Sequence, residues 1–269
     1  MGAGVSEPER GHRATSLVVA ILACAALVVT LRACGDDDPT PTSSGGAVAV
    51  DLHRLRASTT DTAFKAAPLD PHPDRPTSGL VVHPRRMTAV HDAPAGTPFA
   101  KVGPRQFGDT WLPVIAERRG WVRVLLPSRP NGSTGWLARA GLQRAHSRFQ
   151  ISVHLGSRTL TLSEDGVATQ TWSVAVGAGA TPTPTGRTFL LGQLVDQQQS
   201  FSPLILPLGA HSPTLDTYGG GAGTVAIHGW TDPSVFGRAV SHGCIRVPDD
   251  ALSALSRVPV GSPVLIDDA

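Results

Sequence analysis

The residue types best placed to do chemistry lie in AVSHGCIRV, residues 239–247. Of the three cysteines, Cys24 and Cys34 lie in or just after an apolar N-terminal run, and Cys244 stands alone in the body of the chain. A thiol with an ordinary pKa of about 8.5 is a weak nucleophile. It needs a base, or a cationic or dipolar neighbour, to become thiolate. His228 stands 16 residues upstream, at the end of the strand-like run GTVAIHGW. The segment between, GWTDPSVFGRAVS, is long enough to fold back and bring the two strand ends side by side. Gly229 and Gly243 let backbone approach closely next to the base and the thiol. The N–H groups of Gly243 and Cys244 are candidates for an oxyanion hole, where losing one donor costs about 2.7–4 kcal/mol. His242 and Ser241 either hold the loop by hydrogen bonds or shape the pocket. Two other readings use the same residues. An inert buried thiol is one. The other is a zinc site on His228, His242 and Cys244, which requires those donors to converge.

Strands must position such a pair, and the sequence supplies them. In residues 148–267, RFQISVHLGSRTLTLSEDGVATQTWSVAVG reads as three strands, with turns at Gly156–Arg158 and Glu164–Gly166. The second turn carries the Asp-Gly signal of a tight hairpin. TPTPTGRTFLLGQLV gives a loop and a strand, and GSPVLID closes the sheet. DDALSALSRV is the one clear helix pattern, with Leu252, Leu255 and Val258 on one face and Asp249 or Asp250 as N-cap. Residues 79–145 are short strand-like runs closely punctuated by Gly and Pro, which predicts a small β-barrel. The fold class expected is therefore predominantly all-β, a small barrel followed by a β-sandwich-like domain with one short helix. GGGAG at residues 219–223 lacks the strand–loop–helix context of a dinucleotide site. Tyr218, just before it, is the only tyrosine and a candidate lid residue over the substrate. His83, His91, His154 and His211 are isolated and read as packing or surface residues.

Towards the N-terminus the composition changes. Leu17–Leu31 is an apolar run of 15 residues, or 18 counted from Ala14. Arg10 and Arg13 precede it and Asp36–Asp38 follow. This charge order places the remainder outside the cytoplasm. LRACG fits a lipidation box on Cys34, and an uncleaved helix fits as well, so residues 1–34 read as a signal, lipoprotein or membrane anchor segment. Residues 35–78 are rich in Pro, Ser, Thr and Gly and read as a tether. The net charge is +2, with no block of like charge, which argues against a nucleic-acid partner.

Two resemblances follow from these motifs. The order strand, Gly-Trp-Val-x-Val, loop, Gly-Trp-Leu, with Trp121 and Trp136 as matching points, resembles bacterial SH3-like domains of the cell envelope. IHGW…GRAVSHGCIRV, with the upstream TPTPTGRTFLL, resembles the catalytic motif of the L,D-transpeptidase (YkuD-type) family over about residues 148–267. That resemblance implies acyl transfer on peptidoglycan stem peptides. Cys244 is then the acyl-accepting nucleophile, and His228 is the base, oriented through the backbone of Gly229. Gly243, His242 and Ser241 support the loop, and Arg246 fixes the loop or a substrate carboxylate. Trp230 and Tyr218 line the substrate pocket. The thiolate attacks the third residue of a tetrapeptide stem, D-Ala leaves, and an amine of a neighbouring stem resolves the thioester as a 3→3 cross-link. Water as acceptor gives an L,D-carboxypeptidase instead, and a protein amine gives a wall ligase. A wall-binding module that keeps the fold without catalysis is the alternative of another class. Carbapenem-type β-lactams are implied as inhibitors, and no metal or organic cofactor is implied.

Overall fold

The computed structural model describes residues 50–269 apart from 198, 219 and 220. The anchor segment, Cys24 and Cys34 lie outside the described residues. Among the described residues no helix is long and apolar enough to cross a membrane.

Seven strands fill residues 80–146. They are β1 (Leu80–Pro84), β2 (Thr88–His91), β3 (Pro98–Val102), β4 (Leu112–Arg118), β5 (Trp121–Leu125), β6 (Thr134–Ala138) and β7 (Leu142–His146). They form one antiparallel sheet in the order β3-β2-β6-β5-β4-β1-β7. Its core gathers Val82, Val90, Leu112, Val122, Val124 and Leu137. Trp136 is buried, and Trp121 packs edge-on against His91 at 5.0 Å. Both tryptophans thus serve packing.

The remaining strands are β8 (Phe149–His154), β9 (Thr159–Glu164), β10 (Val167–Ser173), β11 (Val176–Gly177), β12 (Gly186–Phe189), β13 (Ile205–His211), β14 (Thr224–Gly229), β15 (Ala239–Ser241), β16 (Ile245–Val247) and β17 (Pro263–Asp267). They pair as a five-stranded sheet β10-β9-β8-β17-β12, a three-stranded sheet β13-β14-β16 and the short pair β11-β15. Asp165 and Gly166 both have positive φ, 50° and 77°, as the Asp-Gly hairpin between β9 and β10 requires. The inward faces of the two larger sheets meet in one apolar core. Ile151, Val153, Leu160 and Ile266 come from one side, and Leu206, Leu208, Ile227, Ile245 and Val247 from the other. The helix α1 (Asp249–Leu255) adds Ala251, Leu252 and Leu255, as its spacing predicts. Its N-cap is Pro248, not Asp249 or Asp250. Both carboxylates instead occupy the first turn, where the helix dipole favours them.

Residues 50–78 correct the sequence reading. Their Pro-rich composition predicts an extended tether, yet this segment is a packed strap. Phe64 and Ala67 are buried in the core of the seven-stranded sheet. Ala57 bridges Lys101, Ala63 bridges Arg129 and Leu69 bridges Ser133. Two apolar residues three positions apart and backbone pairing suffice to dock a strap, and composition alone does not register them.

His211, isolated in the sequence, is buried where this strap meets β13. Its ring Nε2 lies 2.9 Å from the Thr60 carbonyl, so Nε2–H donates, and its backbone N–H donates to Asn131 Oδ1. Burial and the nearby Arg129 charge hold its pKa down at about 4. Folding therefore favours the neutral ring. This contribution is complete above pH 6.5, the unfolded value, and is lost as pH falls towards about 4. The shift corresponds to a loss of about 3 kcal/mol. Urea unfolding at pH 7 and pH 4.5 should show that loss in the wild type and a much smaller one in His211→Asn. Equal pH slopes for the two proteins would reject the assignment.

Candidate active site

The site grows from the alternation of β14. Val225 and Ile227 point into the core, so Thr224, Ala226 and His228 face the other way. β16 runs parallel to β14 with Ile245 opposite Ile227 and Arg246 opposite His228. Ile245 and Val247 face the core. Arg246, and Cys244 just before the strand, therefore share the outer face with His228. The 16-residue spacing works because the intervening chain makes a 3-10 turn at Pro233–Val235 and returns through β15, which pairs with β11.

His228 is 7% exposed, and its Nδ1 lies 2.8 Å from the Gly229 carbonyl. Nδ1–H donates there, so Nε2 carries the lone pair. The Gly229 N–H in turn donates to Ser202 Oγ at 2.8 Å. Ser202 Oγ–H donates to the Leu204 carbonyl. A Cβ at Gly229 would stand 3.2 Å from Ser202 Oγ and 3.3 Å from Leu252, so either side chain would have to give by a few tenths of an ångström. Burial lowers the His228 pKa against the raising effect of the Gly229 carbonyl, and the Arg246 charge lowers it further. Burial also pushes the Cys244 thiol up, opposed by the Ala226 backbone and the Arg246 charge. At neutral pH the resting pair is thus thiol and neutral imidazole.

The loop around the thiol is fixed by hydroxyls. Ser241 Oγ–H donates to the Cys244 carbonyl at 2.6 Å, and the Gly243 N–H donates to Ser241 Oγ at 3.1 Å. This corrects one expectation. The Gly243 N–H is engaged by Ser241 and does not face an oxyanion. Gly243 has φ 115°, a conformation that side chains rarely adopt. Its carbonyl accepts from buried Thr183 Oγ1–H at 2.8 Å. Carbonyl and N–H point opposite ways across a trans peptide, so Thr183 aims the Cys244 N–H away from itself. Thr181 Oγ1–H secures the Ser241 carbonyl.

Phe201, Tyr218, His228, Trp230, Ser241, His242, Cys244 and Arg246 line one cavity of about 230 Å³. The structure thus brings together every cavity-lining candidate singled out in the sequence, with Gly229 and Gly243 shaping its backbone. His242 is exposed, and its ring stacks on Tyr218 with centroids 5.4 Å apart. Arg246 lies 3.6 Å above the Trp230 ring, and its Nε is buried without a hydrogen-bond partner. Phe201, edge-on to His228 at 4.9 Å, and Ser202 were not legible in the sequence. Thr183 had a signal in TPTPTG, but its target 60 residues away did not. Arg129, from the loop before β6, donates through Nη2 to the carbonyls of Asp216 and Ala222, on either side of Tyr218. Among the described residues no three His, Cys, Asp or Glu side chains group so as to hold a metal ion.

The fold is mostly β, and it sets a cysteine just before β16 and an oriented histidine on β14 in one cavity. Residues 148–266 match the YkuD family, an L,D-transpeptidase catalytic domain. The YkuD protein of Bacillus subtilis is 32% identical over 167 residues, covering 60% of this chain and 94% of that protein. An L,D-transpeptidase structure from Mycobacterium smegmatis is 15% identical, covers 69% of this chain and 96% of its own, and has a TM-score of 0.38. The L,D-transpeptidase LdtMt1 in complex with imipenem is 17% identical, covers 70% and 82%, and has a TM-score of 0.40. The chain belongs to the YkuD L,D-transpeptidase family.

Proposed function

We propose that this protein is a peptidoglycan L,D-transpeptidase that forms 3→3 cross-links through a thioester on Cys244. The observation that carries the reading is the neutral, oriented His228, whose Nε2 lone pair shares a cavity with the Cys244 thiol. His228 Nε2 takes the Sγ proton as sulfur attacks the carbonyl of the third stem residue. The oxyanion so formed faces the Cys244 N–H. Collapse of the intermediate breaks the C–N bond, and the imidazolium returns its proton to the leaving amine of D-Ala. The carboxylate of that residue is received by the Arg246 guanidinium, whose residue lines the cavity. An acceptor amine then gives its proton to His228 and attacks the thioester, which releases the thiol and the new amide. Water in place of the amine gives the carboxypeptidase outcome.

The seven-stranded sheet is read as an SH3-like module and the 1–34 segment as an anchor holding the enzyme at the outer face of the membrane. The apolar run and its flanking charges support the second reading. The relative solved with imipenem supports β-lactams as inhibitors.

The test is intact mass spectrometry of the full chain with imipenem, followed by product analysis with a tetrapeptide donor and an amine-bearing acceptor. Wild type should gain one ligand mass, and Cys244→Ala none. The donor and acceptor should give a cross-linked dimer. No adduct on folded wild-type protein rejects the acyl-transfer reading. A hydrolysed tripeptide without dimer replaces transpeptidase by carboxypeptidase.

A further inference from the structure

Tyr218 lines the catalytic cavity and stacks on His242, yet it is 53% exposed. Burial therefore does not hold the ring, and its place depends on the backbone that carries it. That backbone leaves the sheet after His211, at the end of β13, and returns at Thr224, the first residue of β14, which pairs with His211. The Ser212 N–H donates to the Gly223 carbonyl at 2.9 Å and closes the base. Ser212 Oγ accepts from the N–H groups of Thr214 and Leu215 at 3.3 and 3.1 Å. Tyr218 and Gly221 then exchange two backbone hydrogen bonds of 3.0 Å.

Between the base and the ring, the two limbs are tied by a residue from outside the YkuD segment. Arg129 Nη2 donates one N–H to the Asp216 carbonyl at 3.0 Å and the other to the Ala222 carbonyl at 2.5 Å. One cationic nitrogen thus spans both limbs, and charge-assisted donors of this kind bind carbonyls more strongly than neutral ones. Gly223 leaves it room. A Cβ there would stand 3.3 Å from Arg129 Nη2 and press on the Leu215 carbonyl, and the Gly223 φ of 64° favours glycine in any case. Arg129 is itself fixed by the strap. Its N–H donates to the Thr62 carbonyl at 2.9 Å, and its carbonyl accepts from the Phe64 N–H at 3.0 Å. Phe64 is buried in the core of the seven-stranded sheet. Two residues on, Asn131 holds the foot of the same segment, its Nδ2–H donating to the His211 carbonyl at 2.8 Å and its Oδ1 accepting from the His211 N–H at 2.9 Å.

We infer that Arg129 is a positioning residue, which acts through Tyr218 to set one wall of the catalytic cavity. The inference rests on the acyl-transfer reading and gives the strap and the seven-stranded sheet a part in the reaction. Arg129 does not itself line the cavity that holds His228 and Cys244. Its removal should therefore weaken donor binding and leave the chemical step at saturating donor unchanged. An interaction lost equally from the ground and transition states raises KM and spares kcat.

The experiment follows release of D-Ala by the full chain over a range of tetrapeptide concentrations. It compares wild type, Arg129→Gln, Arg129→Lys, Tyr218→Ala and the double variant Arg129→Gln with Tyr218→Ala. Thermal unfolding checks that each is folded at the assay temperature. Arg129→Gln should raise the half-saturating donor concentration about ten-fold, the scale of one hydrogen bond to a charged group, and keep the limiting rate within about two-fold. Arg129→Lys keeps the charge and the donors and should recover most of the loss. In the Tyr218→Ala background, Arg129→Gln should add nothing further, whereas a purely structural contribution would add there as well. An unchanged half-saturating concentration in folded Arg129→Gln overturns the inference, and so does an effect of equal size with and without Tyr218. A wild type that forms no imipenem adduct overturns the acyl-transfer reading instead, so the two failures are distinguishable.

Discussion

His228→Gln lowers the rate constant of Cys244 acylation by about 10²–10⁴-fold, the usual worth of a positioned general base. The loss is large because the resting thiol is protonated. Burial pushes Cys244 above its ordinary pKa and His228 below its own, so no preformed ion pair supplies a thiolate. The proton must be taken during attack, and Nε2 is the group placed to take it. The pH profile follows from the same shifts. Protonation of His228 removes the base. Because its pKa is lowered, the acid limb of acylation should lie below pH 6.5. Because the thiol pKa is raised, alkylation by iodoacetamide, which follows the resting thiolate, should stay slow at neutral pH and climb only in alkali. Acylation by imipenem and alkylation by iodoacetamide, each measured from pH 5 to 10, check both limbs. An acid limb above pH 6.5, or a thiol already titrated at pH 7, would mean a thiolate–imidazolium pair and a different first step.

Much of this site was legible because its parts are local. His228 with Gly229, and Ser241 through Arg246, are short motifs whose glycines and polar neighbours state their chemistry in sequence. Strand alternation then sets Cys244 and Arg246 on one face. What escaped is what acts at a distance. Thr183 turns the Gly243 carbonyl from across the fold, and Ser202 holds Gly229 from 27 residues away. Nothing in their immediate neighbours marks a hydroxyl as a backbone anchor. The oxyanion expectation for Gly243 failed for the same reason. Gly243 and Cys244 are adjacent, but which N–H is free depends on the Ser241 rotamer. The strap failed most plainly. Its Pro-rich composition matches a disordered tether, and its order depends on Phe64, Ala67, Asp70 and the surfaces that receive them.

Asp70 supports the second large prediction. It is read as tether in the sequence, yet its side chain is 1% exposed and paired with Arg187, which is 6% exposed. The pairing is two-pronged. Arg187 Nη2–H donates to Asp70 Oδ1 at 2.7 Å and Nε–H to Oδ2. Arg187 Nη1–H reaches the Arg75 carbonyl at 3.1 Å, so one guanidinium from β12 binds the strap at two places. Removing one partner of a buried pair leaves the other charge without compensation and costs about 3–5 kcal/mol. Asp70→Ala should therefore lower the unfolding free energy by an amount in that range, seen as a lower urea midpoint at unchanged m-value. Arg187→Met together with Asp70→Leu should recover much of it, since an apolar pair carries no stranded charge. A loss under about 1 kcal/mol for Asp70→Ala would show that the strap is held by Phe64 and its backbone bridges alone. The same strap carries Thr60, whose carbonyl accepts from the buried His211 ring.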